Sequence, residues 1–157
     1  MEQTVNFFEK GQRGLKALNS LGAYLAKSPV EHSLLNLIYF RVSQLNGCAF
    51  CLDMHSKDLR AEGETEQRLF VLNAWREAPF YTERERAALA WAEALTKLNG
   101  ASVDAATTAT ARSQFSDEEL IDLTLAVIAI NSYNRLNIAF PNPAVVGTYT
   151  PGQFANA

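Results

Sequence analysis

Both cysteines of the 157-residue chain and one of its two histidines fall within ten residues, NGCAFCLDMH at 46–55. On an α-helix, positions i, i+3 and i+7 share a face. Cys48, Cys51 and His55 would therefore stack along one side of a helix, with the thiols close enough for a disulfide after little backbone change. A cysteine in the first turn meets unpaired backbone N–H groups and the positive end of the dipole, which favour thiolate. An imidazole one turn beyond Cys51 can exchange a proton with it. Three chemistries fit these residue types. Two buried, inert cysteines beside a satisfied histidine is one. A zinc site is another, but Cys48, Cys51 and His55 make only three ligands, and His32 stands in a helix-start sequence, SPVEHS, that faces solvent. Dithiol redox chemistry is the third, with a thiolate, a resolving thiol and a nearby base, and no metal or bound cofactor.

The elements that must carry these residues read as helix after helix. Leu15, Leu18, Leu21, Tyr24 and Leu25 keep helical spacing over 13–27. Residues 31–46 are apolar nearly all round, which places that helix centrally, and Gly47 is a natural C-terminal stop. The cysteine helix starts at about Cys48 and runs to Glu62, before Gly63. Thr65 to Ala74 follows. Thr82 with Glu85 and Ser116 with Glu119 have capping-box spacing at the starts of two long helices, the first closing on Gly100. Residues 101–112, rich in Ala and Thr, give a weaker helical pattern, and the tail from 141 to 157 is turn-rich and irregular. No stretch alternates for long enough to make a sheet. The reading is one all-α domain over 1–157, a compact bundle of five to seven helices. The helix over 117–139 has almost no charge between Thr124 and Tyr133. Its all-round apolar surface implies cover from a second subunit.

Composition narrows the function. Hydrophobic residues are 48% and charged residues 20%, a globular balance. A net charge of −3 offers no basic field for nucleic acid. No apolar run is long enough to span a membrane, and the N-terminal residues lack a secretory pattern. The expected setting is the cytoplasm, where structural disulfides are rare and a CxxC points to redox or metal chemistry.

RVSQLNGCAFCLDMHSKDLR resembles the signature of the AhpD-like alkylhydroperoxidase group within the carboxymuconolactone decarboxylase superfamily, and ERERAALAWAEALTKL and NSYNRLNIAF resemble the same group in the same order. The resemblance covers about residues 5–140. It implies an all-helical homo-oligomer, a hexamer or trimer, that reduces organic hydroperoxides through the CxxC pair. A lipoyl or thioredoxin-like thiol donor then restores the dithiol, or electrons pass to a peroxiredoxin. The family pattern carries over to Cys48, Cys51 and His55. It has a relay glutamate twelve residues before the first cysteine, where this chain has Asn36. An amide can orient a water or a thiol but cannot accept a proton at neutral pH. Glu31 is poorly phased to replace it, and His32, one turn away, is better phased. Cys51, beside His55, is the expected attacking thiol, with Cys48 the more exposed, resolving one, although the place of Cys48 at the helix N-terminus argues for the reverse order. A redox-sensing or scaffold oligomer and a decarboxylase or lactone-acting protein are the alternatives.

Other residues admit two roles. Phe50 either packs or lines an apolar mouth. Arg41 is either ion-paired or biases the thiols towards thiolate. Asp53, Lys57 and Asp58 read as the solvated face of the cysteine helix. Asn131, Asn134 and Asn137 read as buried hydrogen bonds or a subunit contact rather than catalysts.

Overall fold

A computed structural model describes residues 5–154, which exclude the last three residues of the expected tail. Among the described residues there are eight α-helices and no strand: α1 (Phe7–Lys10), α2 (Gln12–Leu25), α3 (His32–Asn46), α4 (Ala49–Ala61), α5 (Glu66–Val71), α6 (Glu83–Thr96), α7 (Ala105–Gln114) and α8 (Asp117–Ala139). The all-α expectation holds, with one helix more than the upper estimate because α1 is a single turn.

Local chemistry sets most boundaries. Both capping boxes form: the Thr82 and Ser116 hydroxyls accept from the N–H groups of Glu85 and Glu119, whose carboxylates accept from the cap N–H groups in return. Helix α6 stops at Thr96, a turn before the expected stop, and the chain reverses through Asn99 and Gly100, both at positive φ. Gly47 takes the left-handed conformation, φ 70°, where a Cβ would be strained, and so turns α3 directly into the cysteine helix.

Helix α3 is central, as its all-round apolar sequence requires, and packs against α4, α6 and α8. Leu34, Leu35, Ile38 and Val42 of α3 meet Leu123, Ala126, Val127 and Ile130 of α8 in one core, completed by α6 alanines. A second core joins Leu37 and Phe40 of α3 to Leu59, Leu72 and Trp75. The outer edge of α8 stays open: Ile121 is 61% and Ile128 51% exposed.

The tail is more ordered than its sequence suggests. The Gly147 N–H donates to Asp53 Oδ2 at 2.9 Å, and Lys57 Nζ donates to the carbonyls of Gly147 (3.1 Å) and Tyr149 (3.0 Å). The Tyr149 hydroxyl donates to Asp58 Oδ1 at 2.8 Å, and its ring is buried. Asp53, Lys57 and Asp58 are therefore a clasp for residues 147–152 and not a solvated face.

Candidate functional site

The cysteine helix begins at a junction fixed by amides. Asn46 Nδ2, in the last turn of α3, donates to Asn131 Oδ1 (3.0 Å) and Asn134 Oδ1 (2.9 Å) of α8. Asn134 Nδ2 donates to Ser43 Oγ at 3.1 Å, and Asn134 is fully buried. This network pins the end of α3 to α8 and so fixes where Gly47 delivers Cys48. Asn131 and Asn134 of the asparagine line thus serve this junction, whereas Asn137 donates to the Tyr133 carbonyl at 3.0 Å within α8. Asn46 was missed from sequence, although an Asn-Gly pair at a helix end marks the place where a polar side chain can reach a neighbour.

Cys48 is the N-cap of α4, one position before the expected first turn, and its Sγ accepts from the Cys51 N–H at 3.3 Å. The two sulfurs are joined as a disulfide, with Cα atoms 5.3 Å apart. Each cysteine is 1% exposed, which corrects the expectation that Cys48 is the more accessible. The helix start itself is at the surface, with Gly47 and Ala49 exposed, but the Cys48 side chain turns inward.

Cys51 lines instead a partly open cavity of about 480 Å³. Its walls come from α2, α3, α4 and α8, with Phe7 and Phe8 of α1 and Phe154 of the tail at its edge. Phe50 is among its lining residues. His55, one turn beyond Cys51, also lines it and is 7% exposed. The ring of Tyr39 lies 5.4 Å from that of His55. Among the described residues, neither ring nitrogen of His55 has a hydrogen-bond partner. Burial holds the imidazole pKa down to about 4, so it is neutral at physiological pH. Burial also raises the Tyr39 pKa, leaving the phenol a hydrogen-bond donor.

Arg41 does not serve the thiols. Its Nε donates to Glu93 Oε1 at 2.7 Å, and the pair is buried on the α6 side of α3. Among the described residues no group of three or more His, Cys, Asp and Glu is placed to hold a metal ion.

The model of the carboxymuconolactone decarboxylase family matches residues 12–94, which include the cysteine helix and the central helix behind it. The chain belongs to this family. YdfG of Bacillus subtilis (strain 168), an uncharacterized protein, is 40% identical over 144 residues, 92% of this chain and 98% of that one. A crystal structure from Agrobacterium tumefaciens, a protein of unknown function described as a candidate antioxidant defence protein AhpD, superposes with a TM-score of 0.84 at 40% identity. It covers 88% of this chain and 95% of its own. An uncharacterized peroxidase-related protein from Silicibacter sp. TM1040 superposes with a TM-score of 0.72 at 26% identity, over 85% of this chain and 72% of that one. The AhpD-like resemblance read from the sequence is thereby established.

Asn36 stands where the resemblance read from the sequence implies a glutamate, and the structure shows what Asn36 faces. Its Nδ2 donates to Glu62 Oε1 (2.9 Å) and Oε2 (3.0 Å), at the far end of α4 from the cysteines. His32 Nδ1 stands 3.2 Å from Glu62 Oε1. Glu31 is turned away to Arg84. Asn36 does not line the cavity, whereas His32 does, at its exposed edge. A carboxylate is therefore present at this level of the bundle, supplied by α4 in place of α3.

Proposed function

We propose that this chain is a thiol-dependent peroxidase that reduces organic hydroperoxides through Cys48 and Cys51, an antioxidant activity. The observation that carries this reading is the cavity, onto which Cys51 and an unpartnered, neutral His55 both open. In the reduced protein the Cys51 thiolate attacks the distal oxygen of ROOH. The O–O bond breaks, Cys51 becomes a sulfenic acid, and RO⁻ leaves and is protonated to the alcohol. Cys48 then condenses with the sulfenic acid, forming the disulfide and releasing water. A donor dithiol reduces the disulfide and is itself oxidised, so one ROOH and one dithiol give one alcohol, one water and one donor disulfide.

Cys51 is the attacking thiol in this reading, because it faces the cavity and adjoins His55. Formation of a thiolate there favours the imidazolium one turn away, so the proton has somewhere to go. The reductant must reach Cys51 through the same cavity, since both sulfurs are buried. A slender carrier such as a lipoyl arm fits this requirement better than a globular thioredoxin-like protein or a peroxiredoxin. The reducing cytoplasm supplies such donors. The exposed Ile121 and Ile128, with Leu125 between them, support a homo-oligomer built on α8.

The test is dithiol-dependent consumption of cumene hydroperoxide. Wild type turns over. Cys51→Ser falls to the uncatalysed background. Cys48→Ser gives one turnover and a sulfenic acid that a dimedone-type reagent traps. No consumption by fully reduced wild type would reject the reading. Light scattering on the same preparation should give a mass well above the 17.3 kDa of one chain.

A further inference from the structure

The cavity differs from an ordinary polar cleft in one respect: it carries no Lys, Arg, Asp or Glu in its wall among the described residues. Its lining is otherwise aromatic and aliphatic, and its size suits a small organic molecule. The polar residues in its lining are Asn19, Asn137, Tyr39, Tyr133, His32 and His55. Two of these are already engaged, since the Tyr133 hydroxyl donates to Asn19 Oδ1 at 2.8 Å. His32, at the exposed edge, lies against the Glu62 carboxylate. Among these, His55 is buried beside Cys51, and neither of its ring nitrogens has a hydrogen-bond partner among the described residues.

We propose that the cavity accepts uncharged organic hydroperoxides with an apolar body and rejects those that carry a carboxylate. The proposal rests on the peroxidase reading and adds the substrate class. An apolar body gains by leaving water for these walls. A carboxylate would lose its hydration and find no cation inside, a cost that the cavity cannot offset. His55 provides the complementary polar contact. A hydroperoxide has one O–H donor and two acceptor oxygens, and a neutral imidazole offers one acceptor nitrogen and one N–H donor. With the distal oxygen at Cys51, one ring nitrogen takes the thiol proton. The other gives its proton to the departing RO⁻, leaving the imidazole neutral in its other tautomer. Cys51 is oxidised by two electrons and the peroxide is reduced by two.

Calorimetry with unreactive product analogues tests this apart from turnover. The reduced native protein should bind 2-phenyl-2-propanol, and bind a phenylpropanoate of similar size roughly 30-fold or more weakly at neutral pH. Met54→Arg, which puts a cation into the wall, should bring the carboxylate to within a few-fold of the alcohol, with the fold checked by circular dichroism. Equal binding of alcohol and carboxylate to the native protein, or no binding of either, would overturn the proposal. So would a Met54→Arg protein that folds and leaves the gap unchanged. Selective binding of the alcohol without hydroperoxide turnover would support the charge selection while removing the peroxidase reading.

Discussion

Glu93 and His55 are polar residues largely withdrawn from solvent around the same central helix, and the bundle treats them in opposite ways. Glu93, with its side chain 12% exposed, accepts from Arg41 Nε at 2.7 Å, Trp75 Nε1 at 2.9 Å and Arg76 Nη1 at 2.6 Å. Burial alone would raise its pKa, but these three donors outweigh burial and hold it low. His55 has no partner among the described residues, and burial alone determines its charge state. Ser28 Oγ and one oxygen of Asp122 also lack partners, but the other Asp122 oxygen accepts from Tyr24 at 2.7 Å. A fold that can bond one carboxylate three times has the means to satisfy an imidazole. The α6 side of α3 is built for stability, and the α4 side keeps an unsatisfied group facing an empty volume.

The contrast can be broken first at Glu93. Glu93→Ala removes the counter-charge of Arg41, which is itself buried, and a stranded buried charge costs roughly 3–5 kcal/mol. Urea denaturation at neutral pH should show a loss of that size. A loss below about 1 kcal/mol would mean that the pair is effectively solvated.

The His55 side is read through pH. Its pKa is about 4 in the folded chain, below the ordinary histidine value of about 6.5. Between these values the unfolded chain binds a proton that the folded chain refuses. Stability is therefore lost as pH falls through that window, by about 3 kcal/mol in all. Denaturation midpoints at pH 7 and pH 4.5, compared between wild type and His55→Phe, isolate this contribution from the carboxylates. Phe should flatten the slope. An identical slope would show that the imidazole is hydrated or bonded in solution.

The smallest effect is expected at Asn36. Replacing it with Glu sets a second carboxylate against Glu62, where the amide now donates. Asn36 is buried and the Glu62 side chain is 35% exposed, so solvent screens the repulsion only in part, and it should cost about 1 kcal/mol at pH 7. A stabilised Asn36→Glu protein would show that the carboxylate at Glu62 swings away.

The local devices of this fold were legible. The capping boxes at Thr82 and Ser116, the stop at Gly47 and the shared face of Cys48, Cys51 and His55 each depend on neighbours within a few residues. Burial around them was harder to read. Cys48 looked accessible because a helix start usually is; Gly47 and Ala49 on either side are indeed exposed, but the Cys48 side chain faces the interior. Asp53, Lys57 and Asp58 looked solvated because the tail that meets them is distant in sequence. Helical phase says which side a residue occupies but not what arrives there. The one-turn α1 is too short to leave a periodic signal. Asn36 could be recognised as a departure from a family pattern, yet its partner Glu62 lies on another helix, beyond what the spacing along α3 can tell.

The clasp of the tail on α4 has a consequence in time. The bonds from Asp53, Lys57 and Asp58 reach residues 90 to 94 positions later in the chain. At ordinary synthesis rates those residues follow the cysteine helix by roughly 5–20 s. Contacts at such separation also form late in folding, because a long loop must close first. During that interval α4 presents two carboxylates with only Lys57 between them, and the Phe154 edge of the cavity is missing. The cavity beside the dithiol is complete only once α8 and then the tail with Phe154 are in place.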